Sequence, residues 1–282
     1  MSIKITGTGS HIPKNIIKNN EFLNKNFFDK DGNSYANSNQ DIIDKFQAIT
    51  GIIERRYADE NHNTSDLATF AAENSIKSAN IDKETLDYII VAHNFGEIEA
   101  NSNNYIALPS VASLVKHKLG IENPNCVAYD LIFGCPGWVE GVIQSCAYIK
   151  SGMAKKCLVI GADTLSRTVD SNDRDSMIFA DGAGASIIEK STENGGILSH
   201  KTVTYAGKEA LYLFADRSYN PESKSNVKHI KMNGRKVYEF AISTIPNALK
   251  ECLEDSGKKI HEIKKIFLHQ ANEKLDEAVI KY

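Results

Sequence analysis

Short apolar runs alternate with amphipathic stretches along the first two thirds of this chain. Apolar runs of strand length, bounded by glycine or polar residues, predict β-strands. These predicted strands are residues 3–9, 86–92, 126–129, 156–162 and 184–189. Stretches with apolar residues at helical spacing predict helices at residues 64–79, 108–119 and 139–150. Because strands and helices follow one another in this way, the pattern favours an α/β fold built on a mainly parallel, helix-covered sheet.

A similar order of elements begins again after Gly195. It comprises a long strand at 196–204, a helix at 233–255, an apolar strand at 264–269 and a helix that begins near residue 272. Lys264–His269 repeats the pattern of Leu86–His93, since each is an apolar strand that ends in a histidine. The pattern therefore predicts two related halves, residues 1–190 and residues 191–282.

Composition and charge narrow the class of protein. Hydrophobic residues make up 41% of the 282 residues, charged residues make up 24%, and the net charge is −3. These values are typical of a soluble globular protein, and they argue against nucleic acid or an anionic membrane as a partner. The N-terminus has no apolar signal-peptide core, and no apolar run reaches the roughly 18 residues of a membrane span. We therefore expect a cytoplasmic protein.

Five widely spaced cysteines form neither a disulfide framework nor a metal-binding CxxC pair, so no metal is expected. One of them, Cys135, lies in Asp130–Trp138, where an apolar run ends among small and cyclic residues and an amphipathic stretch follows. This pattern predicts a strand, a sharp turn and a helix with a thiol at its N-terminus, with Pro136 in the first helical position. The positive end of the helix dipole there favours the nucleophilic thiolate. The alternative is a small buried side chain, as for many lone cysteines.

A cysteine nucleophile needs a partner for proton transfer, usually a histidine. His269 ends a predicted apolar strand, and parallel sheets present functional side chains at the carboxyl ends of their strands. Cys135 also follows a strand. We therefore expect the two residues to face one another across a shared site, although a structural role for the histidine stays open. Glu97 and Glu99, in the loop after His93, are expected to be solvated carboxylates.

The chain resembles the ketoacyl synthase III family, the initiating condensing enzymes of the thiolase superfamily. The resemblance is carried by motifs in the expected order along the whole chain. These are Gly7–Pro13, Thr50–Arg56, Asp130–Trp138, Gly161–Asp170, Ile178–Ala185, Met232–Tyr238 and His269–Asn272. It implies a thiolase-like fold of duplicated α-β-α-β-α layers and a homodimer.

The resemblance also implies roles for particular residues. Cys135 matches the nucleophile that accepts an acyl group as a thioester. His269 matches the histidine that assists decarboxylation of a malonyl thioester and stabilises the resulting enolate. Arg167 matches an arginine near the mouth of the pantetheine tunnel. The segment that matches the contact with acyl carrier protein is Gln270, Ala271, Asn272, Glu273 and Lys274. The implied reaction is a decarboxylative Claisen condensation for fatty acid or polyketide synthesis. It uses acyl-CoA or acyl-carrier-protein thioesters and no cofactor.

The chain departs from the family pattern in two places. Members that use acetyl-CoA place a tryptophan, and four residues later an arginine, where this chain has Lys45 and Ile49. A secondary-metabolism acyltransferase is therefore an alternative. The family's third catalytic residue, an asparagine in a G-N-T-S-type loop, lies some thirty residues beyond the histidine, whereas this sequence ends at Tyr282. We therefore expect an incomplete second half, and a non-catalytic partner that only dimerises is a further alternative.

Overall fold

A computed structural model describes residues 2–102 and 104–281. Its α-helices each bury one face. In chain order they are α1 (Asn39–Thr50), α2 (Thr64–Ala79), α3 (Val111–Lys118), α4 (Gly137–Ser151), α5 (Gly234–Asp255) and α6 (Glu273–Lys281). No helix among the described residues is long and apolar enough to cross a membrane.

The strands vary widely in length. In chain order they are β1 (Ser2–His11), β2 (Asn15–Lys18), β3 (Glu54–Tyr57), β4 (Tyr88–His93), β5 (Glu97–Ile98), β6 (Tyr105–Ile106), β7 (Val127–Ile132), β8 (Lys156–Thr164), β9 (Asp181–Ser191), β10 (Leu213–Asp216) and β11 (His229–Met232). The five strands predicted in the first half are all present. The sequence also correctly predicted helices α2 and α5.

Two strands predicted in the second half are absent. Neither residues 196–204 nor residues 264–269 form a strand. Both segments are apolar in pattern, but Ile266 and Phe267 are 54% and 86% exposed. A strand requires a hydrogen-bonded neighbour, and the pairings recorded for the described residues provide none for these segments. Local pattern alone therefore overpredicted strands here.

The chain divides into two compact units, each discontinuous in sequence. The first unit comprises Met1–Asn15, Arg56–Arg167 and Asp181–Leu198. The second comprises Ile16–Arg55, Thr168–Ala180 and Ser199–Tyr282. These units are defined by contacts and not by repetition. The division into two related halves, residues 1–190 and 191–282, therefore stays a prediction.

A five-stranded sheet in the order β1-β9-β8-β4-β7 forms the centre of the first unit. β4 pairs in parallel with β7 and β8, whereas β9 pairs antiparallel with both β8 and β1. The sheet is therefore mixed rather than mainly parallel as predicted. The reason is the connection from β8 to β9, which contains only short 3-10 turns. A parallel return would need a crossover, usually a helix.

Helices cover both faces of this sheet, as the sequence predicted. Leu158 and Ile160 of β8 pack in one core cluster with α2 and α3, and Cys157 and Val159 pack in a second cluster with α4. All four side chains are fully buried, which explains why the strand has a continuous apolar sequence. β1 packs closely against α2, because a Cβ added at Gly7 would lie 2.5 Å from the backbone oxygen of Ser75.

Glu97 does not have the solvated position that we expected. It is 2% exposed, and its carboxylate accepts hydrogen bonds from the backbone N–H and the hydroxyl of Ser65, both at 2.8 Å. Ser65 lies in the first turn of α2, whose backbone N–H groups lack helical partners. Glu97 therefore satisfies the start of a helix rather than facing solvent.

The second unit contains a fully buried ion-pair network. Lys231 of β11 is 0% exposed, and its Nζ lies 2.6 Å from Asp170 Oδ2 and 3.1 Å from Asp173 Oδ2. The same Nζ lies 3.3 Å from the ring centre of Tyr219. Burial opposes ionisation of Asp170, but hydrogen bonds from Lys231, from the Tyr219 N–H and from other donors outweigh it and lower its pKa. The network thus joins the 168–180 segment to β11.

Candidate active site

The nucleophile candidate, Cys135, lies at the carboxyl edge of the first unit's sheet. β7 ends at Ile132, Gly134 follows with φ +66°, and α4 begins at Gly137. A Cβ added at Gly137 would lie 2.7 Å from Ala92 Cβ, so glycine lets the start of α4 approach β4 closely. Cys135 is an exposed residue, whereas Cys126, Cys146 and Cys157 are buried and Cys252 is partly buried. The predicted strand, sharp turn and helix are therefore confirmed.

The surroundings of this thiol oppose the expected thiolate. Crowding by protein atoms raises the pKa of Cys135, and the negative charge of Asp163 raises it further. Pro136 caps α4 rather than occupying its first helical position, so Cys135 lies outside the first turn. The influence of a helix dipole falls off within about one turn. Burial and Asp163 thus disfavour the thiolate, and the charge state of Cys135 stays a prediction.

Three parallel strands bring further polar residues to the same edge. Asn94 directly follows β4, and Asp163 is the penultimate residue of β8. The Asp163 carboxylate accepts a hydrogen bond from the Asn94 backbone N–H at 3.0 Å and another from Asn94 Nδ2 at 2.7 Å. Sequence reasoning did not select either residue for this site. Their positions could have indicated a role, because both residues lie at the ends of predicted strands, on the edge of the sheet that carries Cys135.

His93 and Asp130 form a second polar contact near the turn. His93 is 3% exposed, and its Nε2 lies 3.1 Å from Asp130 Oδ2, although the atoms are poorly aligned for a hydrogen bond. Asp130 also accepts hydrogen bonds from the backbone N–H groups of Val111 and Ala112, at 2.8 and 2.7 Å. Its carboxylate therefore stabilises the start of α3.

Arg167 lies in the first unit and donates to three backbone carbonyl oxygens. Its guanidinium contacts the oxygen of Ile98 at 3.2 Å, of Asp59 at 3.0 Å and of His62 at 2.6 Å. These bonds attach the 59–62 loop to β5. A role of Arg167 in substrate binding stays a prediction.

His269 lies in the second unit, after the exposed segment that was predicted as a strand. Partial desolvation lowers the pKa of its imidazole, and the charge of Asp276 opposes this effect. A neutral imidazole suits proton transfer and hydrogen-bond donation near neutral pH. Cys135 and His269 belong to different units. Their predicted pairing therefore stays a prediction.

The segment after His269 forms the start of α6. Asn272 Oδ1 accepts a hydrogen bond from the Leu275 N–H at 2.9 Å, so Asn272 caps this helix. Lys274 Nζ lies 3.2 Å from Glu277 Oε2, and both side chains are about half exposed. Gln270, Ala271 and Glu273 complete the predicted carrier-protein contact, and Gln270 and Glu273 are exposed. No cluster of three metal-binding side chains occurs within residues 2–102 and 104–281.

A mixed α/β sheet with an exposed cysteine at its carboxyl edge indicates a thiolase-like protein. Solved structures support this class. One of them is 3-oxoacyl-[acyl-carrier-protein] synthase III from Aquifex aeolicus VF5, which has 31% sequence identity to this chain and a TM-score of 0.81. The superposition covers 99% of this chain and 80% of the Aquifex chain. The family model for 3-oxoacyl-[acyl-carrier-protein] synthase III matches residues 129–206, which include Cys135.

Curated relatives extend the match to nearly the whole chain. The β-ketoacyl-[acyl-carrier-protein] synthase III of Clostridium acetobutylicum is 36% identical over 284 residues, and that of Fusobacterium nucleatum is 34% identical over 291 residues. Each alignment covers 99% of this chain and 80% of the relative. The chain therefore belongs to the 3-oxoacyl-[acyl-carrier-protein] synthase III family.

Proposed function

We propose that this protein is a condensing enzyme that joins an acyl group on Cys135 to a malonyl unit on acyl carrier protein. The observation that carries the proposal is the exposed thiol of Cys135 at the carboxyl edge of the sheet, in a chain of this family. In the first step, Cys135 Sγ attacks the carbonyl carbon of an acyl thioester and the donor thiol leaves. The thiol proton needs an acceptor, because the thiolate is the form of cysteine that attacks a carbonyl carbon.

The second step forms the carbon–carbon bond. The malonyl thioester loses CO2, and the electron pair of the broken bond becomes an enolate. The enolate carbon attacks the Cys135 thioester, and Cys135 leaves as thiolate. Negative charge develops on the thioester oxygen, where a hydrogen-bond donor gives most stabilisation. We assign this donor role to His269, in keeping with the direction of its pKa shift. The reaction needs no metal or redox cofactor.

Intact-protein mass spectrometry tests the first step. The protein is incubated with acetyl-CoA, with longer acyl-CoA donors and with acyl-carrier-protein donors. We expect one acyl adduct, which Cys135→Ala abolishes and the control variant Cys252→Ala retains. An adduct that survives Cys135→Ala, or no adduct with any of these donors, contradicts the proposal.

Product formation from malonyl-acyl-carrier protein tests the second step. We expect His269→Ala to abolish release of CO2 while Cys135 still becomes acylated. His261→Ala is the matched control, because His261 is also an exposed histidine of the same unit. Equal effects of the two substitutions would exclude the assigned role. Turnover by this chain alone would exclude the alternative of a partner that only dimerises.

The donor preference distinguishes a housekeeping enzyme from a secondary-metabolism condensing enzyme. Lys45 and Ile49 lie on α1, and Ile49 is 60% exposed. Neither side chain supplies the flat ring or planar guanidinium that stacks on an adenine. We therefore propose longer acyl chains, or chains delivered on a carrier protein, as the donors. Acetyl-CoA as the fastest donor would contradict this choice.

We also propose that the protein is a cytoplasmic homodimer in which β7 pairs with its copy. β7 is the last strand in the order of the five-stranded sheet, and Ile132 and Phe133 at its end are 72% and 38% exposed. An open edge with apolar side chains is a template for strand pairing. Light scattering is expected to give a dimer mass, and Ile132→Lys is expected to give a monomer. A monomeric native protein would refute this assignment.

A further inference from the structure

The loop residue Asn94 lies between Asp163 and the turn that carries Cys135. On one side, its backbone N–H and Nδ2 donate to Asp163, at 3.0 and 2.7 Å. On the other side, its Oδ1 lies 3.0 Å from the position that a Cβ on Gly134 would occupy. The amide of Asn94 is therefore fixed by the carboxylate and limits where Gly134 can lie.

The preceding residue also contacts this turn. The backbone oxygen of His93 accepts long hydrogen bonds of 3.4 Å from the N–H groups of Phe133 and Gly134. Residues 93 and 94 thus support the two residues that precede Cys135. A displacement of Asn94 would move the turn, because Gly134 has the left-handed φ of +66° and has little space beside it.

We infer that Asp163 is a positioning residue for the nucleophile, which acts by fixing Asn94 and through it the Gly134–Cys135 turn. The acylation part of this inference rests on the proposed function. Asp163 lies in the Gly161–Asp170 motif, 28 positions after Cys135 in the sequence. Misplacement of a reacting group by about 1 Å can cost on the order of a hundredfold in rate.

Charge supports the same arrangement. After burial, Asp163 is the main cause of the raised pKa of Cys135. Burial raises the pKa of Asp163 itself, and the hydrogen bonds from Asn94 and the charge of His93 oppose that effect. Asp163 on β8 is thus the charged group that acts on Cys135, and His93 on β4 acts in turn on Asp163.

Two readouts on Asp163→Asn test the positioning role, after its Tm and circular dichroism spectrum have been compared with those of the native protein. The first is the rate at which iodoacetamide alkylates Cys135 as a function of pH, which needs no acyl substrate. The carboxylate disfavours the thiolate, so we expect its removal to shift the alkylation midpoint to lower pH. The second is the rate of Cys135 acylation, which we expect to fall at least about tenfold because the turn is misplaced. Because partial unfolding would also speed alkylation and slow acylation, the same combination counts for positioning only in a variant that keeps the native Tm and circular dichroism spectrum.

Asn94→Ala removes the side-chain link but leaves the carboxylate in place. We expect its acylation rate to fall like that of Asp163→Asn, with an alkylation midpoint close to that of the native protein. The double variant is expected to lose no more acylation than Asp163→Asn alone, because both substitutions break one contact. Asn94→Ala also preserves the test if Asp163→Asn does not fold.

Asp181→Asn is the matched control. Like Asp163, Asp181 on the neighbouring strand β9 accepts backbone hydrogen bonds, from the N–H groups of Ala58 at 2.7 Å and Ser166 at 2.8 Å. Unlike Asp163, it does not contribute to the pKa shift of Cys135. We expect both of its readouts to stay within about twofold of native. The inference is wrong if Asp181→Asn reproduces the Asp163→Asn effects, or if the alkylation profile of Asp163→Asn superimposes on the native profile. Absence of acylation in the native protein would overturn the proposed function, while the alkylation comparison would still decide whether Asp163 acts on Cys135.

Discussion

Replacing Lys231 with methionine keeps most of the side-chain volume and removes the positive charge from the buried network. At an effective dielectric constant of about 20, Coulomb's law gives roughly 6 kcal/mol for the 2.6 Å contact with Asp170 and roughly 5 kcal/mol for the 3.1 Å contact with Asp173. Burial of each of the three ions costs several kcal/mol, which offsets most of this attraction. The network as a whole therefore contributes little net stability.

The single substitution is different, because it leaves two buried carboxylates without their counter-ion. Removal of one partner from a buried ion pair typically costs about 3–5 kcal/mol. For a chain of this size, about 1 kcal/mol corresponds to roughly 2–4 °C in Tm, so we expect Tm to fall by about 10 °C. Urea denaturation followed by circular dichroism measures the free energy of unfolding. The control is Lys228→Met, which removes a cation from an ion pair with Asp216 whose two side chains are 54% and 55% exposed. It should leave the free energy of unfolding nearly unchanged.

The pH dependence gives a second criterion. In the native protein the pKa of Asp170 is lowered, so its stabilising contribution is present above the ordinary carboxyl range and is lost as pH falls through the folded-state pKa. In Lys231→Met the unpaired carboxylates become easier to protonate. The difference in free energy of unfolding between the two proteins should therefore be largest near pH 7 and narrow towards pH 4. A difference below about 1 kcal/mol at pH 7, or one that widens as pH falls, would refute this account of the network.

Three further predictions concern other positions. Gly7→Ala should lower Tm, because a Cβ there would lie 2.5 Å from the backbone oxygen of Ser75 and force β1 away from α2. An unchanged Tm would exclude this close contact. Burial, followed by the charge of Asp173, raises the pKa of Asp175 to about 6. Asp175→Asn should therefore raise Tm at pH 7, where the native carboxylate is charged, and leave it unchanged at pH 4; equal effects at both pH values would contradict the shift. Iodoacetamide under native conditions should label Cys135 well before the buried cysteines, as peptide mapping would show, and preferential labelling of another cysteine would contradict its exposure.

Much of the first unit could be predicted from sequence, because its strands are buried on both faces. β8 is an example: it packs against helices on each side, so its apolar run identifies it without alternation. The direction of β9 could not be predicted, since it depends on pairing between distant segments. The strands at 196–204 and 264–269 were predicted wrongly for the same reason. An apolar run specifies a strand only when a partner is available to complete its hydrogen bonds.

The site shows the same limits. The strand, turn and helix around Cys135 have local causes, since Gly134 provides the turn and Gly137 permits the close approach of α4. The pKa of Cys135 depends on burial and on Asp163, which lies on β8, the strand paired with β4. A prediction from the helix dipole alone therefore leaves out the effects that raise the pKa of Cys135. Glu97 is similar, because its partner Ser65 is 32 residues away in sequence.

The pairing of β1 with β9 has a consequence for how the chain is made. Ser2 pairs with Ser191 and His11 with Ala183. β1 therefore cannot form these hydrogen bonds until β9, near the end of the first unit, has been synthesised. At roughly 5–20 residues per second on the ribosome, this delay is on the order of 10–40 s. Ile3, which is 4% exposed in the finished fold, remains uncovered for that interval. We therefore expect nascent chains released before residue 181 to bind chaperones or aggregate, and chains released after residue 198 to be able to close the sheet.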